Sequence, residues 1–317
     1  MTPVPRHPPQ PPHPCVWEDG HIIPLEEARI SVLSHAVQRG AAVFDVGALR
    51  PGRNGARLLF RPRDHVARFL RSTALVGLEV GWDAAALLEA TVQVAGASGV
   101  SSALVRWSAF VATIQPDVVP RPGTRASVAI AVLPPDTADP DALDRSRVAL
   151  RITIPRDVRK AGPEVFPPQA KVGASYLGPM LAKRQAQARG YDEVILLDGE
   201  GHVAEAPTAN VFAVKDGVLL TPPLARVLAG ITRDSVLALA RAEGLAAREV
   251  HLSPEDLAGA DEAFLAATSL PVQGIASIDE HLLEHGAPGP VTTRIRDALL
   301  ACERGEDTRF ASWVVPI

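Results

Sequence analysis

The chain has 317 residues, 47% of them hydrophobic, and a formal net charge of −4 at pH 7. That length exceeds what one hydrophobic core usually organises, so two domains are expected, and the charge balance gives no case for a nucleic-acid surface. No apolar run reaches the roughly 18 residues of a membrane span, the amino terminus lacks a basic-then-apolar signal pattern, and Cys15 and Cys302 lie near opposite ends with no C-x-x-C pattern; this argues against a disulfide framework or a zinc site, so no metal and a cytoplasmic location are expected.

Residues 1–15 are dense in proline, which cannot donate the hydrogen bonds of a helix or sheet, and are expected to form a disordered tail outside the fold. A first domain is placed at 16–133. Its helical patterns fall at 64–78, with Val66, Phe69, Leu70 and Ala74 as an apolar stripe, and at 82–95. Runs rich in Val, Leu and Ala at 103–112 and 126–133 read as strands. Prolines and acids concentrated just beyond mark an interdomain linker at 134–146. The second domain, 147–317, alternates a helix at 178–189 closed by Gly190, a strand at 193–197, and a turn at Asp198-Gly199-Glu200-Gly201. Strands at 211–214 and 218–220 flank Lys215-Asp216-Gly217 as a hairpin, a helix at 233–243 is closed by Gly244, and an apolar strand occupies 262–267. The expected class is mixed α/β (α+β) with partly antiparallel sheets and no internal repeat.

Four lysines stand against 28 arginines, and one of them, Lys171, sits in the run Gln169-Ala170-Lys171-Val172-Gly173-Ala174-Ser175-Tyr176. An ε-amine can be desolvated into an imine-forming nucleophile, whereas guanidinium keeps its charge. Lys171 is therefore the first candidate, with Tyr176 able to bring a phenol beside it. The competing explanation is that Lys171 merely survived a compositional bias towards arginine. Glu205, between Ala204 and Ala206, could carry a carboxylate to a fixed depth in a cavity or could face solvent. Gly230-Ile231-Thr232 directly precedes a helix, and such amino ends bind phosphate when they are not simply capped. Thr268-Ser269 offers hydroxyls and amides at a strand end, and Arg61, Arg63, Arg68 and Arg71 form a basic cluster around the first helix.

In this order and spacing the motifs resemble the fold-type IV pyridoxal-phosphate enzymes, and among them most closely the branched-chain aminotransferases. Ala170-Lys171, Tyr176, Gly190-Tyr191, Leu197-Asp198, Glu205, Asn210, Phe212 and Gly230-Ile231-Thr232-Arg233-Asp234 carry the likeness in the second half. Ser34-His35-Ala36, Gly40, Val43-Phe44, Asp64-His65 and Arg68 carry it in the first. The resemblance implies a small N-terminal and a larger C-terminal domain with pyridoxal 5′-phosphate in the cleft between them. It implies that Lys171 forms the internal aldimine and shuttles a proton between substrate Cα and cofactor C4′. By the same likeness Glu205 would pair with the pyridine nitrogen, Tyr176 with the ring oxygen, and Arg68, Ile231, Thr232 and Thr268 with the phosphate, while the amides of Thr268 and Ser269 would receive a substrate carboxylate.

Some positions depart from the family pattern. Arg39 replaces a tyrosine and is expected to favour a carboxylate in the substrate pocket, Asp45-Val46 replaces a glutamate-glycine pair, and Leu104 replaces a tyrosine two residues before Arg106. Phe44, Leu104, Arg106 and Ser269 complete the expected substrate-binding set with Arg39, and Trp107 would add a wall if it faced the site. The resemblance further implies a homodimer in which 113–122 completes the partner's pocket, and small-molecule partners only: an L-amino acid donor and a keto acid such as 2-oxoglutarate. A D-amino acid or (R)-amine transaminase and an aminodeoxychorismate lyase remain alternatives, as does a descendant without catalysis.

Overall fold

In a computed structural model the described residues are 15–134 and 149–317. The expected tail, except Cys15, and the expected linker, except Pro134, lie outside them. Cys15 is not part of a tail but opens the first strand. The first sheet is built from β1 (Cys15–Glu18), β2 (His21–Pro24), β3 (Ala42–Pro51), β4 (Arg57–Phe60), β5 (Glu79–Val80), β6 (Ala103–Phe110) and β7 (Arg125–Leu133), in the order β4-β3-β6-β7-β1-β2 with β5 on β7. The second holds β8 (Leu150–Thr153), β9 (Glu193–Val194), β10 (Asn210–Lys215), β11 (Val218–Thr221), β12 (Ala247–Glu249), β13 (Glu262–Ala266), β14 (Gln273–Ile278) and β15 (His281–Leu282), in the order β12-β11-β10-β13-β14-β8-β9 with β15 on β14. A last strand, β16 (Val314–Pro316), lies antiparallel to β4 in the first sheet. A second unit spanning the whole of 147–317 therefore does not describe the pairing of this strand.

Alternation along β6 explains the packing of the first sheet. Val105 and Trp107 point to one face and are buried under the helices Pro62–Leu75 and Ala84–Ser98, against Phe69, Leu87 and Val94, while Leu104 and Arg106 point to the other. The helix Pro62–Leu75 opens with a proline in its first turn, where the missing N–H costs nothing. The next helix begins after Asp83, whose side chain accepts from the Ala86 amide at 2.8 Å, so Trp82 stays outside it.

In the second sheet β10 and β11 form the expected hairpin, turning through Asp216 and Gly217 at φ of 50° and 73°, the left-handed pair a two-residue hairpin turn requires. The helices Ile231–Ala242 and Pro290–Glu303 cover one face against Phe212 and Phe264. The second of these was not expected from the sequence. Arg61 ties the two halves together: its Nη1 donates to Asp234 Oδ2 at 2.7 Å and to Ser235 Oγ at 2.9 Å on the helix Ile231–Ala242. Among the described residues no helix is long and apolar enough to cross a membrane.

Candidate active site

A cavity of about 690 Å³ opens where the two sheets meet. Phe44 on β3 and Leu104 and Arg106 on β6 line one side, and Lys171, Tyr176, Glu205, Ile231, Thr232, Thr268 and Ser269 line the other, with Arg68 between them.

The backbone of Lys171 is held twice. Its carbonyl accepts from the Phe44 amide at 3.0 Å, and its amide donates to Ser72 Oγ at 3.1 Å on the helix Pro62–Leu75. The side chain reaches into the cavity, where Nζ donates to the Tyr176 hydroxyl at 2.7 Å and lies 4.7 Å from the centre of the Phe44 ring. Burial, aided by the Arg68 charge, lowers the Lys171 pKa to about 8. Burial and the Glu205 carboxylate push the Tyr176 phenol well above its ordinary range, so it stays protonated.

Glu205 sits on the return strand of a short hairpin, where its carbonyl accepts from Leu196 N at 3.0 Å. Its carboxylate is held from behind. Lys160 Nζ lies 2.6 Å from Oε1, and Oε2 accepts from Asn210 Nδ2 at 3.0 Å and from the Leu228 amide at 3.1 Å. Gly230 leaves the room for Asn210, because a Cβ there would lie 1.9 Å from Asn210 Oδ1.

Arg68 is buried and grips Asp45 side-on, Nε to Oδ2 at 2.7 Å and Nη2 to Oδ1 at 2.8 Å, while Nη1 donates to Ala229 O at 3.0 Å. His65 Nδ1 shares Asp45 Oδ1 at 2.7 Å. Burial alone would raise the Asp45 pKa, but the Arg68 guanidinium overcomes it and holds the carboxyl well below the usual range. A guanidinium has five N–H donors, so Arg68 keeps two for a ligand. Facing it is the first turn of the helix Ile231–Ala242, which no side chain caps; its leading amides are free donors at the positive end of a helix dipole. Thr232 and Thr268 add hydroxyls to the same cavity.

One end of the cavity thus presents a cation, free amides and hydroxyls, the complement of a phosphate. The other presents a carboxylate suited to a protonated ring nitrogen, with an amine of lowered pKa between the two. That donor set fits pyridoxal phosphate.

Of the residues expected to bind cofactor or substrate, only Arg39 falls outside the cavity. It is the exposed last residue of the short helix His35–Arg39 and donates from Nη1 to the Gln38 carbonyl at 3.2 Å, because the left-handed Gly40 that follows carries the chain away. Asp45, in the Asp45-Val46 pair that departs from the family pattern, is held by Arg68. Trp107 does not wall the site; it is buried on the opposite face of β6, donating to Thr91 Oγ1 at 2.9 Å. Lys160 and Asn210 were missed as site residues. Lys160 was findable as another of the four lysines, though nothing local pointed it at Glu205. Outside the cavity, Asp198, His202 and His251 could together hold a metal ion.

A family model described as amino-transferase class IV matches residues 42–278. A branched-chain-amino-acid aminotransferase of Salmonella typhimurium is 34% identical over 304 residues, covering 95% of this chain and 97% of the relative. A crystal structure of the branched-chain aminotransferase from Thermoproteus uzoniensis with norvaline superposes with a TM-score of 0.88 at 34% identity, covering 95% of this chain and 98% of that one. The T.th. branched-chain amino acid aminotransferase, complexed with N-(5′-phosphopyridoxyl)-L-glutamate, gives a TM-score of 0.88 at 32% identity, covering 96% and 98%.

Proposed function

The chain belongs to the class IV aminotransferases, enzymes that use pyridoxal 5′-phosphate, and from that premise we propose that it moves the amino group of an apolar L-amino acid to a 2-oxo acid such as 2-oxoglutarate, with Lys171 as its catalytic base. One observation carries this reading: the Lys171 amine is buried, lowered to a pKa of about 8, and set between the phosphate-complementary end and Glu205. When bound, the cofactor supplies an electron sink that lets the bond between Cα and hydrogen break heterolytically.

The rest of the work belongs to side chains. Lys171 Nζ, held by the neutral Tyr176 hydroxyl, would take the proton from substrate Cα and hand it to the bound cofactor, and the same hydroxyl would meet the cofactor's ring oxygen. Glu205, kept in place by Lys160, Asn210 and Leu228, keeps the ring nitrogen protonated. Arg68 with the amides of Ile231 and Thr232 and the Thr232 and Thr268 hydroxyls holds the phosphate, and the Thr268 and Ser269 amides take the substrate α-carboxylate. Phe44 and Leu104 form an apolar wall, in keeping with a branched-chain-like donor and with the norvaline of the Thermoproteus complex. Arg106, whose guanidinium lies 5.1 Å from the Phe44 ring, stands at the mouth for the second carboxylate of a dicarboxylic acceptor, in keeping with the L-glutamate adduct bound to the T.th. enzyme.

We also infer a homodimer at work in the cytoplasm. Val32, Leu33 and Val37, and Val118 and Val119 within 113–122, are apolar side chains more than half exposed, which supports burial against a second copy.

The reading is tested by following the visible absorbance of the purified enzyme while L-leucine, L-glutamate, D-alanine and (R)-1-phenylethylamine are added separately. Bleaching by L-leucine and L-glutamate is expected. Bleaching by D-alanine or the amine alone would replace this reading with a D- or (R)-selective transaminase, and pyruvate release without a keto acid would make it a lyase. Full turnover by Lys171→Ala would remove the role of the lysine.

A further inference from the structure

Away from the cavity, at the turn between Leu197 and Val203, three side chains that commonly ligate metals converge. One donor atom from each of Asp198, His202 and His251 lies within 4.8 Å of the others. Asp198 is 5% exposed. Its Oδ1 accepts the amides of Glu200 and His202, each at 2.9 Å, as expected for an aspartate that shapes a turn. Its Oδ2 is buried and has no hydrogen-bond partner among the described residues. The nearest cation to it, Arg226 Nε, stands 3.9 Å away, beyond hydrogen-bond reach. His202 Nδ1 is buried and unpartnered in the same sense, facing Asp198 Oδ1 and Glu200 Oε2 at 3.7 Å each. The His251 ring lies 4.8 Å from the His202 ring, tilted by 49°.

Buried side-chain oxygens and nitrogens nearly always find a partner, so two unpartnered ones side by side call for an explanation. A second imidazole beside them supplies it. We propose that Asp198, His202 and His251 form a binding site for a divalent transition-metal ion of the zinc type. Two imidazoles with one carboxylate make a nitrogen-rich donor set that suits zinc and its neighbours and disfavours calcium and magnesium, which take oxygen. In a tetrahedron with metal–ligand bonds of roughly 2.1 Å the donors lie roughly 3.4 Å apart. His202 Nδ1 and Asp198 Oδ1, 3.7 Å apart, already stand near that spacing, and the exposed His251 ring is the one of the three with room to turn. Glu200 Oε2 or water takes the fourth position.

The site is structural in effect. It would clamp the turn 198–202 to the segment around His251, beside the existing bond from Val203 N to Leu252 O at 2.8 Å. The same hairpin continues into Glu205 through the bond from Leu196 N to Glu205 O, so the clamp stiffens the support of that carboxylate. Arg226, ion-paired with Glu200, places a positive charge against the site, and removing it should tighten binding.

The holoenzyme is freed of metal with a chelator, dialysed, and titrated with zinc chloride in a calorimeter, with melting followed in parallel. One ion per chain is expected, with a rise in melting temperature. Asp198→Asn, His202→Ala and His251→Ala should each weaken binding by more than the roughly tenfold that even outer partners of a metal site cost, and Arg226→Ala should strengthen it. Asp198→Asn keeps a turn-forming oxygen, and His251 is exposed, so an unchanged melting temperature without metal shows that these variants fold. No binding, or binding that His251→Ala and Asp198→Asn leave unaltered because the ion sits at the proline-rich histidines His7 and His13 or at the cofactor, would overturn the proposal. Transaminase activity is not the readout, so its loss or survival decides nothing here.

Discussion

Replacing Asp45 by asparagine removes the anion that holds Arg68 in place. Both groups are nearly inaccessible, Asp45 at 0% and Arg68 at 4% exposure, and their two bonds at 2.7 and 2.8 Å are joined by a third, from His65 at 2.7 Å. An asparagine keeps one acceptor and turns an NH₂ group against the donors of Arg68 or His65. Breaking a buried pair by removing one partner costs about 3–5 kcal/mol, because the remaining charge is left uncompensated in a dry site. At roughly 2 °C per kcal/mol, the lower end for large domains, the enzyme without cofactor should melt about 6–10 °C lower. A phosphate group brings compensating negative charge to Arg68, so saturating pyridoxal phosphate should restore part of that loss, whereas pyridoxal without its phosphate should not. Differential scanning calorimetry of both proteins with each ligand reads this directly. A melting shift below about 2 °C, or equal rescue by the two ligands, would refute the assignment of Asp45 as the residue that orients Arg68 towards phosphate.

Uptake of pyridoxal phosphate needs the neutral Lys171 amine. With its pKa lowered to about 8 the uptake rate should rise with pH and level off above about pH 8, as stopped-flow absorbance would show; a profile still climbing to the ordinary lysine range would contradict the burial. The same shift makes the folded apoenzyme bind fewer protons than the unfolded chain between about pH 8 and the ordinary value of 10.5, so this residue makes apoenzyme stability rise with pH across that window. Gly230→Ala puts a methyl 1.9 Å from Asn210 Oδ1, forcing Asn210 off Glu205; a fall in cofactor affinity of about tenfold or more is expected by equilibrium dialysis, since supporting partners of a site typically cost that much, and unchanged affinity would remove Asn210 from the support of the site. Arg50 joins Glu303 at 3.0 Å and donates to the Thr268 carbonyl at 3.1 Å, so Arg50→Met should lower stability by about 3 kcal/mol near pH 7 and raise the KM for amino acid substrate. Burial already raises the Glu303 pKa, so the folded state holds its proton to higher pH than the unfolded chain; the destabilisation should shrink on acidification, and thermal melts at pH 5 and 7 check the sign.

Short-range chemistry was the legible part of this chain. Lys171 and Tyr176 lie five residues apart in one short run, Ile231 and Thr232 open a helix, and the hairpin at Asp216-Gly217 follows from the two residues alone. What the sequence hid was direction and distance. Whether Arg39 points inward depends on how a five-residue helix ends, which no periodicity reports. The side of Trp107 was readable in principle: Leu104 and Arg106 line the cavity, so period-two alternation puts residue 107 on the opposite face. Lys160 and Glu205 are brought together by separate segments, so only the folded chain pairs them. Nor does composition distinguish Arg61 and Arg68 from the rest of the arginine cluster around the first helix, yet both are buried and each is held by acidic partners.

The pairing of β16 with β4 bears on how the molecule is assembled in time. During synthesis the residues up to Leu133 emerge first and contain every strand of the first sheet but one, yet β4 has no partner on its outer side until Val314 arrives to meet Phe60. Until then a nascent chain carries an open hydrogen-bonding edge, the kind of surface that recruits other chains. Closure of the first sheet is therefore a late event that requires the second half of the polypeptide, and chains interrupted before Val314 should be more prone to association than their content of folded core would suggest.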